Sequence, residues 1–135
     1  MQQITITGLF SGSAEEPSGE PPQTDPQGTS TSLEGGPFGA ASYRNHVTYT
    51  SQTSFSETGT IVYDDGAAEL DIVSATDGVI GPAAEEPLLR GAVIYRIVAG
   101  RGRFEGASGL ITSNFVLDPT KGEYEEGQVA FVFLP

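Results

Sequence analysis

Apolar and polar residues alternate one for one through most of this chain, in short stretches fenced by glycine, proline and aspartate. A period of two sends successive side chains to opposite faces of a strand, and no long stretch carries the 3.6-residue period of a helix. The 135 residues include 18 glycines and 9 prolines but a single methionine, a composition that makes many turns. Together these features predict an all-β fold. Seven or eight strands joined by short hairpins fit a closed antiparallel barrel better than an open sheet, because closure removes exposed edges. The length suits one domain over residues 1–135, able to bury roughly two-thirds of its unfolded surface.

The first strand is expected over Gln2 to Phe10, with Ile4, Ile6 and Phe10 alternating against Thr5, Thr7 and Leu9. Residues Ser11 to Gly39 differ in kind. They hold Pro17, Pro21, Pro22, Pro26 and Pro37, six glycines and five acids, with only Leu33 and Phe38 bulky and apolar. Such a composition buries too little surface to offset its ordering entropy, so the segment is expected as a long Pro/Gly-rich loop. A loop of this length acts as a lid, a binding loop or an oligomer contact. Strand signals resume over Ala41 to Phe55, Glu57 to Tyr63, Ala67 to Ser74 and Leu88 to Val98, then Leu110 to Leu117 and Tyr124 to Leu134. Asp64-Asp65-Gly66 and Asp77-Gly78 mark turns, with Val79-Ile80 a short edge piece. In the last strand Val129, Phe131 and Phe133 share one face.

Between the longest strand and its successor lies Gly100-Arg101-Gly102-Arg103-Phe104-Glu105-Gly106-Ala107-Ser108-Gly109. Four glycines in ten residues imply a tight connection, with Phe104 folding back to plug one end of the barrel. This stretch resembles the Gly-Gly-Thr-Gly-x-Phe-x-x-Ala-x-Gly segment of the dirigent and allene oxide cyclase superfamily. Arg101 stands where that family commonly has glycine, and the Pro-rich segment is not part of its pattern. The resemblance implies an eight-stranded antiparallel barrel, assembled as a homo-oligomer (a dimer or trimer), with a ligand cavity in its lumen. It further implies cyclisation or coupling of small, mostly apolar or aromatic molecules with no cofactor. It places no catalytic residue of the known cyclases on this chain.

Six basic residues against eighteen acidic ones give a net charge of −12, which repels phosphate backbones and anionic lipids. Nucleic acid and membrane surfaces are therefore not expected partners. There is no cysteine, which excludes thiolate chemistry, and one histidine makes no multi-histidine metal site. Phosphate-binding loops, metalloprotease motifs and Gly-x-Ser-x-Gly are absent. Met1 to Thr5 has no basic region or apolar run of leader type, so a cytoplasmic location is expected, or secretion with the leader already removed.

The tyrosines carry the strongest functional signal. Tyr43, Tyr49, Tyr63 and Tyr95 each fall on the apolar face of their strand, and Asn45 shares a face with two of them. Buried hydroxyls and amides need hydrogen-bond partners, and several converging in an apolar lumen describe a small-molecule pocket. Tyr49, Tyr95 and Asn45 are the catalytic candidates: a phenol holds or protonates a developing oxyanion and the amide orients a carbonyl. Tyr43, Tyr63, Phe104 and Phe131 are the ligand-binding candidates; no metal ligand is nominated. Arg90 and Arg96 are expected to pair with Glu69 and Asp71 outside the barrel, and Arg101 and Arg103 with the acidic 11–39 segment. His46 reads as a solvated surface residue. Three functions remain open: a cofactor-free cyclase or isomerase, a non-catalytic small-ligand barrel, and a structural protein with a filled lumen. A cavity of at least ~300 Å³ favours the first two.

Overall fold

The structure, a computed structural model, describes all 135 residues. Ten strands follow in chain order: β1 (Gln2–Ser13), β2 (Gln23–Thr24), β3 (Gln27–Glu34), β4 (Ala41–Tyr49), β5 (Ser54–Tyr63), β6 (Ala68–Ser74), β7 (Gly78–Pro82), β8 (Leu89–Gly102), β9 (Ser108–Asp118) and β10 (Glu123–Leu134). Every pairing is antiparallel. The order β4-β3-β1-β10-β9-β8-β6-β5 closes through a β4–β5 ladder into an eight-stranded barrel, with β2 and β7 as two additional short strands. The first and last strands zip along their whole lengths, from Gln2 opposite Leu134 to Ser13 opposite Glu123. No free edge remains along this seam, the outcome that the alternating pattern demands.

The Pro-rich segment corrects one expectation. Rather than a structureless loop, Gln23–Thr24 and Gln27–Thr29 pair with β4 on either side of Asp25-Pro26, and β3 pairs with β1 through Glu34. Proline has no N–H to give the ladder, and here the Pro26 carbonyl accepts instead from the Asn45 amide at 2.9 Å. The sequence of β3 is polar because its inner positions are small. Gly28 lies against the Tyr43 ring, where a Cβ would come within 2.7 Å of the phenol. Tyr43 thus fills the lumen that β3 leaves empty. Residues 14–22 and 35–39 keep the expected loop character, and none of 14–22 is buried.

The glycine-rich connection closes the barrel end that lies beside Gln2 and Leu134. Strand β8 runs through Gly102, four residues beyond the expected end, before the turn. At Gly102, φ is +64° and a Cβ would stand 2.4 Å from the Ala67 carbonyl, so only glycine fits. Phe104 then folds inward, 1% exposed, edge-on to Phe38 and Tyr63 at ring distances of 5.2 and 5.4 Å. The Arg103 guanidinium caps Phe38 from outside at 5.3 Å.

The expected surface ion pairs form with different partners. Arg101, not Arg90 or Arg96, binds Asp71 through both guanidinium nitrogens (2.7 and 2.8 Å) and Glu69 at 3.1 Å. The reason is register: Glu69 lies directly opposite Arg101 on the neighbouring strand. These bonds hold the Asp71 carboxyl down to about 2. Of the two arginines expected to hold the 11–39 segment, only Arg103 touches it, through the Phe38 ring rather than a carboxylate. His46 is exposed as expected, with Nδ1 2.6 Å from Asp25 and Nε2 2.9 Å from Gln23.

Candidate functional site

The inner face at the opposite end of the barrel is polar where strand patterning usually places hydrocarbon. On β10 the inward positions are Tyr124, Glu126, Gln128, Ala130 and Val132. This inverts the expected face: Val129, Phe131 and Phe133 point outward, and Phe131 is 37% exposed. Both faces of β10 carry apolar residues, so hydrophobicity alone misassigned the parity. On β5, Glu57 shares the inward face with Gly59, Ile61 and Tyr63. Two carboxyl groups, each on a residue 6% exposed, therefore enter the lumen.

Both carboxyls are dressed with donors. Asn45 Nδ2 donates to Glu57 Oε2 at 2.7 Å, and the Tyr95 hydroxyl lies beside the same carboxyl. Glu126 accepts from the Tyr43 hydroxyl at 2.5 Å on Oε1; on Oε2 it accepts from Ser113 Oγ, and from Gln128 Nε2 at 3.1 Å. The Tyr43 and Tyr124 hydroxyls meet at 2.6 Å. One acceptor is left over: Asn45 Oδ1 is buried with no partner and faces Gly59, where a Cβ would stand 1.8 Å away.

Burial sets the electrostatics. It raises the Glu57 carboxyl to about 7 against the opposing pull of Asn45 and Tyr95, with the Glu126 charge adding to the rise. Glu126 is likewise pushed up by burial, opposed by Ser113, Tyr43 and Gln128. The phenols of Tyr43, Tyr95 and Tyr124 are held well above their ordinary value, chiefly by burial. Burial also raises Tyr49, with the Glu57 charge adding to it. A carboxyl poised near neutrality, a second one raised by burial, and phenols that keep their protons are a proton-handling set.

Above this polar floor sits a cavity walled by Val47, Phe55, Ile80, Phe115 and Leu117, with Ala14, Thr24 and Pro26 of the Pro-rich segment at its rim. Its enclosed space is about 70 Å³, room for a few waters or one functional group, well short of a ~300 Å³ ligand pocket. Below it the lumen is filled by side chains. Of the nominated residues, Tyr43, Tyr49 and Tyr95 line this cavity, and Asn45 stands behind Glu57. The other three lie elsewhere: Tyr63 and Phe104 form the plug at the far end, and Phe131 is on the outer wall. A barrel this narrow is not hollow from end to end, so inward parity alone does not put residues in one pocket.

Sequence reading missed Glu57, Glu126, Tyr124, Ser113 and Gln128. A signal existed for Glu57, which has the parity of Ile61 and Tyr63. Nothing in the sequence announced Glu126, because the face of β10 was misassigned.

No protein-family model matches the chain, and no curated protein matches it in sequence. Its fold does match solved structures. The pterocarpan synthase dirigent protein GePTS1 superposes with a TM-score of 0.66 at 18% identity, covering 98% of this chain and 88% of that one. The pterocarpan synthase dirigent protein PsPTS1 gives 0.58, also at 18% identity, covering 98% and 95%. The chain thus has the dirigent-type barrel fold that the glycine-rich stretch implied.

Proposed function

We propose that this barrel binds one polar group of a small organic molecule at its open end and moves a proton there without a cofactor, in an isomerisation or cyclisation. The observation that carries the reading is the pair of buried carboxyls, Glu57 and Glu126, under an otherwise apolar cavity. With its carboxyl raised to about 7, Glu57 is available as acid and as base at neutral pH, the condition for efficient proton transfer. Tyr49, Tyr95 and Tyr124 orient the reacting group; Asn45 holds Glu57 in place. The names of the fold neighbours, as pterocarpan synthases, support a small-molecule role for this architecture. The enclosed space admits only the reacting group, so the body of a larger substrate rests against Tyr49 and Phe115 at the mouth or displaces the rim. We also propose that the chain self-associates through the outer wall of β8 to β10, where Ile94, Val98, Leu110 and Phe131 are exposed.

The test is ligand-observed NMR with a panel of small phenols and enones, comparing the parent chain with Val47→Trp, which fills the cavity. Binding to the parent that disappears in the filled variant supports the reading. A panel in which nothing binds, or binds both alike, overturns it. For any binder that is converted, Glu57→Gln separates catalysis from mere binding: unchanged turnover removes Glu57 from the chemistry. A second reading, a structural barrel with a filled lumen, is favoured by the 70 Å³ volume, and the failed panel is its expected result.

A further inference from the structure

The hydrogen bonds at Glu126 have a direction, and that direction reaches the cavity. Oε2 already accepts from Ser113 Oγ and Gln128 Nε2, so a proton on this carboxyl belongs on Oε1. Oε1 faces the Tyr43 hydroxyl at 2.5 Å, and Tyr43 faces the Tyr124 hydroxyl at 2.6 Å. A phenol has one proton to give. When Glu126 is ionised, Tyr43 spends its proton on Oε1, and the bond between the two phenols must be donated by Tyr124. Tyr124 then offers a ligand only lone pairs. When Glu126 is protonated on Oε1, the acid donates to Tyr43, Tyr43 donates to Tyr124, and the Tyr124 proton turns free toward the cavity.

We infer that Glu126, Tyr43 and Tyr124 form a polarity relay: the protonation state of Glu126 decides whether Tyr124 meets a ligand as acceptor or as donor. The ionised state suits a ligand hydroxyl or N–H; the protonated state suits a carbonyl. One proton enters from solvent at Glu126, each phenol keeps its own and only rotates, and no covalent bond changes. Tyr43 is a positioning residue in this scheme. Burial holds both phenols well above their ordinary range, so neither ionises before the carboxyl does. The groups facing Glu126 are Tyr43 from β4, Glu57 from β5, Tyr95 from β8, Ser113 from β9, and Tyr124 and Gln128 from β10. No lysine, arginine or histidine lines the cavity, so no cation competes for the carboxyl. The Glu126 charge adds to the rise of the Glu57 carboxyl, as the smallest of its causes.

The ligand preference rests on the reading of this cavity as the site, but the relay itself is testable with no ligand at all. In the full chain labelled with ¹³C at Tyr Cζ and Glu Cδ, NMR follows both carbons from about pH 4 to about pH 9, upward from the ordinary carboxyl range. The Tyr124 Cζ resonance is expected to move with the Glu126 carboxyl midpoint, and to keep doing so in Glu57→Gln. In Tyr43→Phe the carboxyl still titrates, but the Tyr124 response at that midpoint is lost. A Tyr124 carbon that stays flat in the parent chain overturns the relay. So does a response persisting unchanged in Tyr43→Phe, which marks a through-space charge effect. If the amide spectrum shows Tyr43→Phe to be unfolded, Glu126→Gln decides: the Tyr124 transition must vanish, and its survival sinks the proposal. The ligand panel can fail while this co-titration holds, and the reverse, so the two outcomes are separable.

Discussion

A carboxyl that prefers its proton when folded ties stability to pH with a definite sign. Glu57 has its ordinary value near 4.5 in the unfolded chain and about 7 in the barrel. The folded state therefore holds the extra proton across that window. Its stabilising contribution is complete below about 4.5, declines as pH rises, and is gone above about 7. A shift of this size corresponds to about 3 kcal/mol. Chemical denaturation at a series of pH values should show the decline in the parent chain and a flatter curve in Glu57→Gln; equal slopes would sink the assignment. Gly59 offers a second residue-scale prediction. A Cβ there collides with Asn45 Oδ1, and its neighbouring Cα at 2.9 Å leaves the amide little room to yield. Gly59→Ala should turn Asn45 away from Glu57 and remove a bond that lowers the carboxyl, moving its NMR titration midpoint further up. Residue by residue, the sequence announced the inward tyrosines well, because aromatic parity survives in alternating strands. It concealed the carboxyls, since a buried Glu contradicts the rule that makes parity readable.

Elements were misread where neighbours supply what a segment lacks. Strand β3 looks disordered by composition, yet small inner residues are what the Tyr43 ring requires on the facing strand. Composition measures what a segment buries by itself and cannot see a ring arriving from next door. The longer of the two parts of the segment that do behave as loop, residues 14–22, is anchored to the barrel by few bonds. One is the Tyr49 amide on the Pro22 carbonyl, at 2.9 Å. With no buried side chain between Ala14 and Asp25, this cover belongs to the low-stability end of the molecule. The Tyr49 amide should exchange with solvent well before that of Ile61, whose residue is fully buried. Comparable protection at the two positions would mean that the rim does not open separately from the barrel.

For the whole molecule, closure was legible from the sequence because the alternation recurs in β1 and β10 alike, leaving neither terminal strand a polar edge. What no single chain shows is how its outer wall is covered. Leu110 is 47% exposed opposite Phe131 on the adjacent strand, so the apolar residues on this wall form a patch rather than scattered singles. Sedimentation should find a homo-oligomer that Leu110→Glu dissociates without unfolding; a parent chain that sediments as a monomer at high concentration would remove that partner. The seam itself has an engineering consequence. Gln2 lies across from Leu134 at the plugged end, far from the acidic cavity. A short peptide bridge would join the two ends there, and reopening the ring at Asp64–Gly66 would give a circular permutant with the same tube and an untouched mouth.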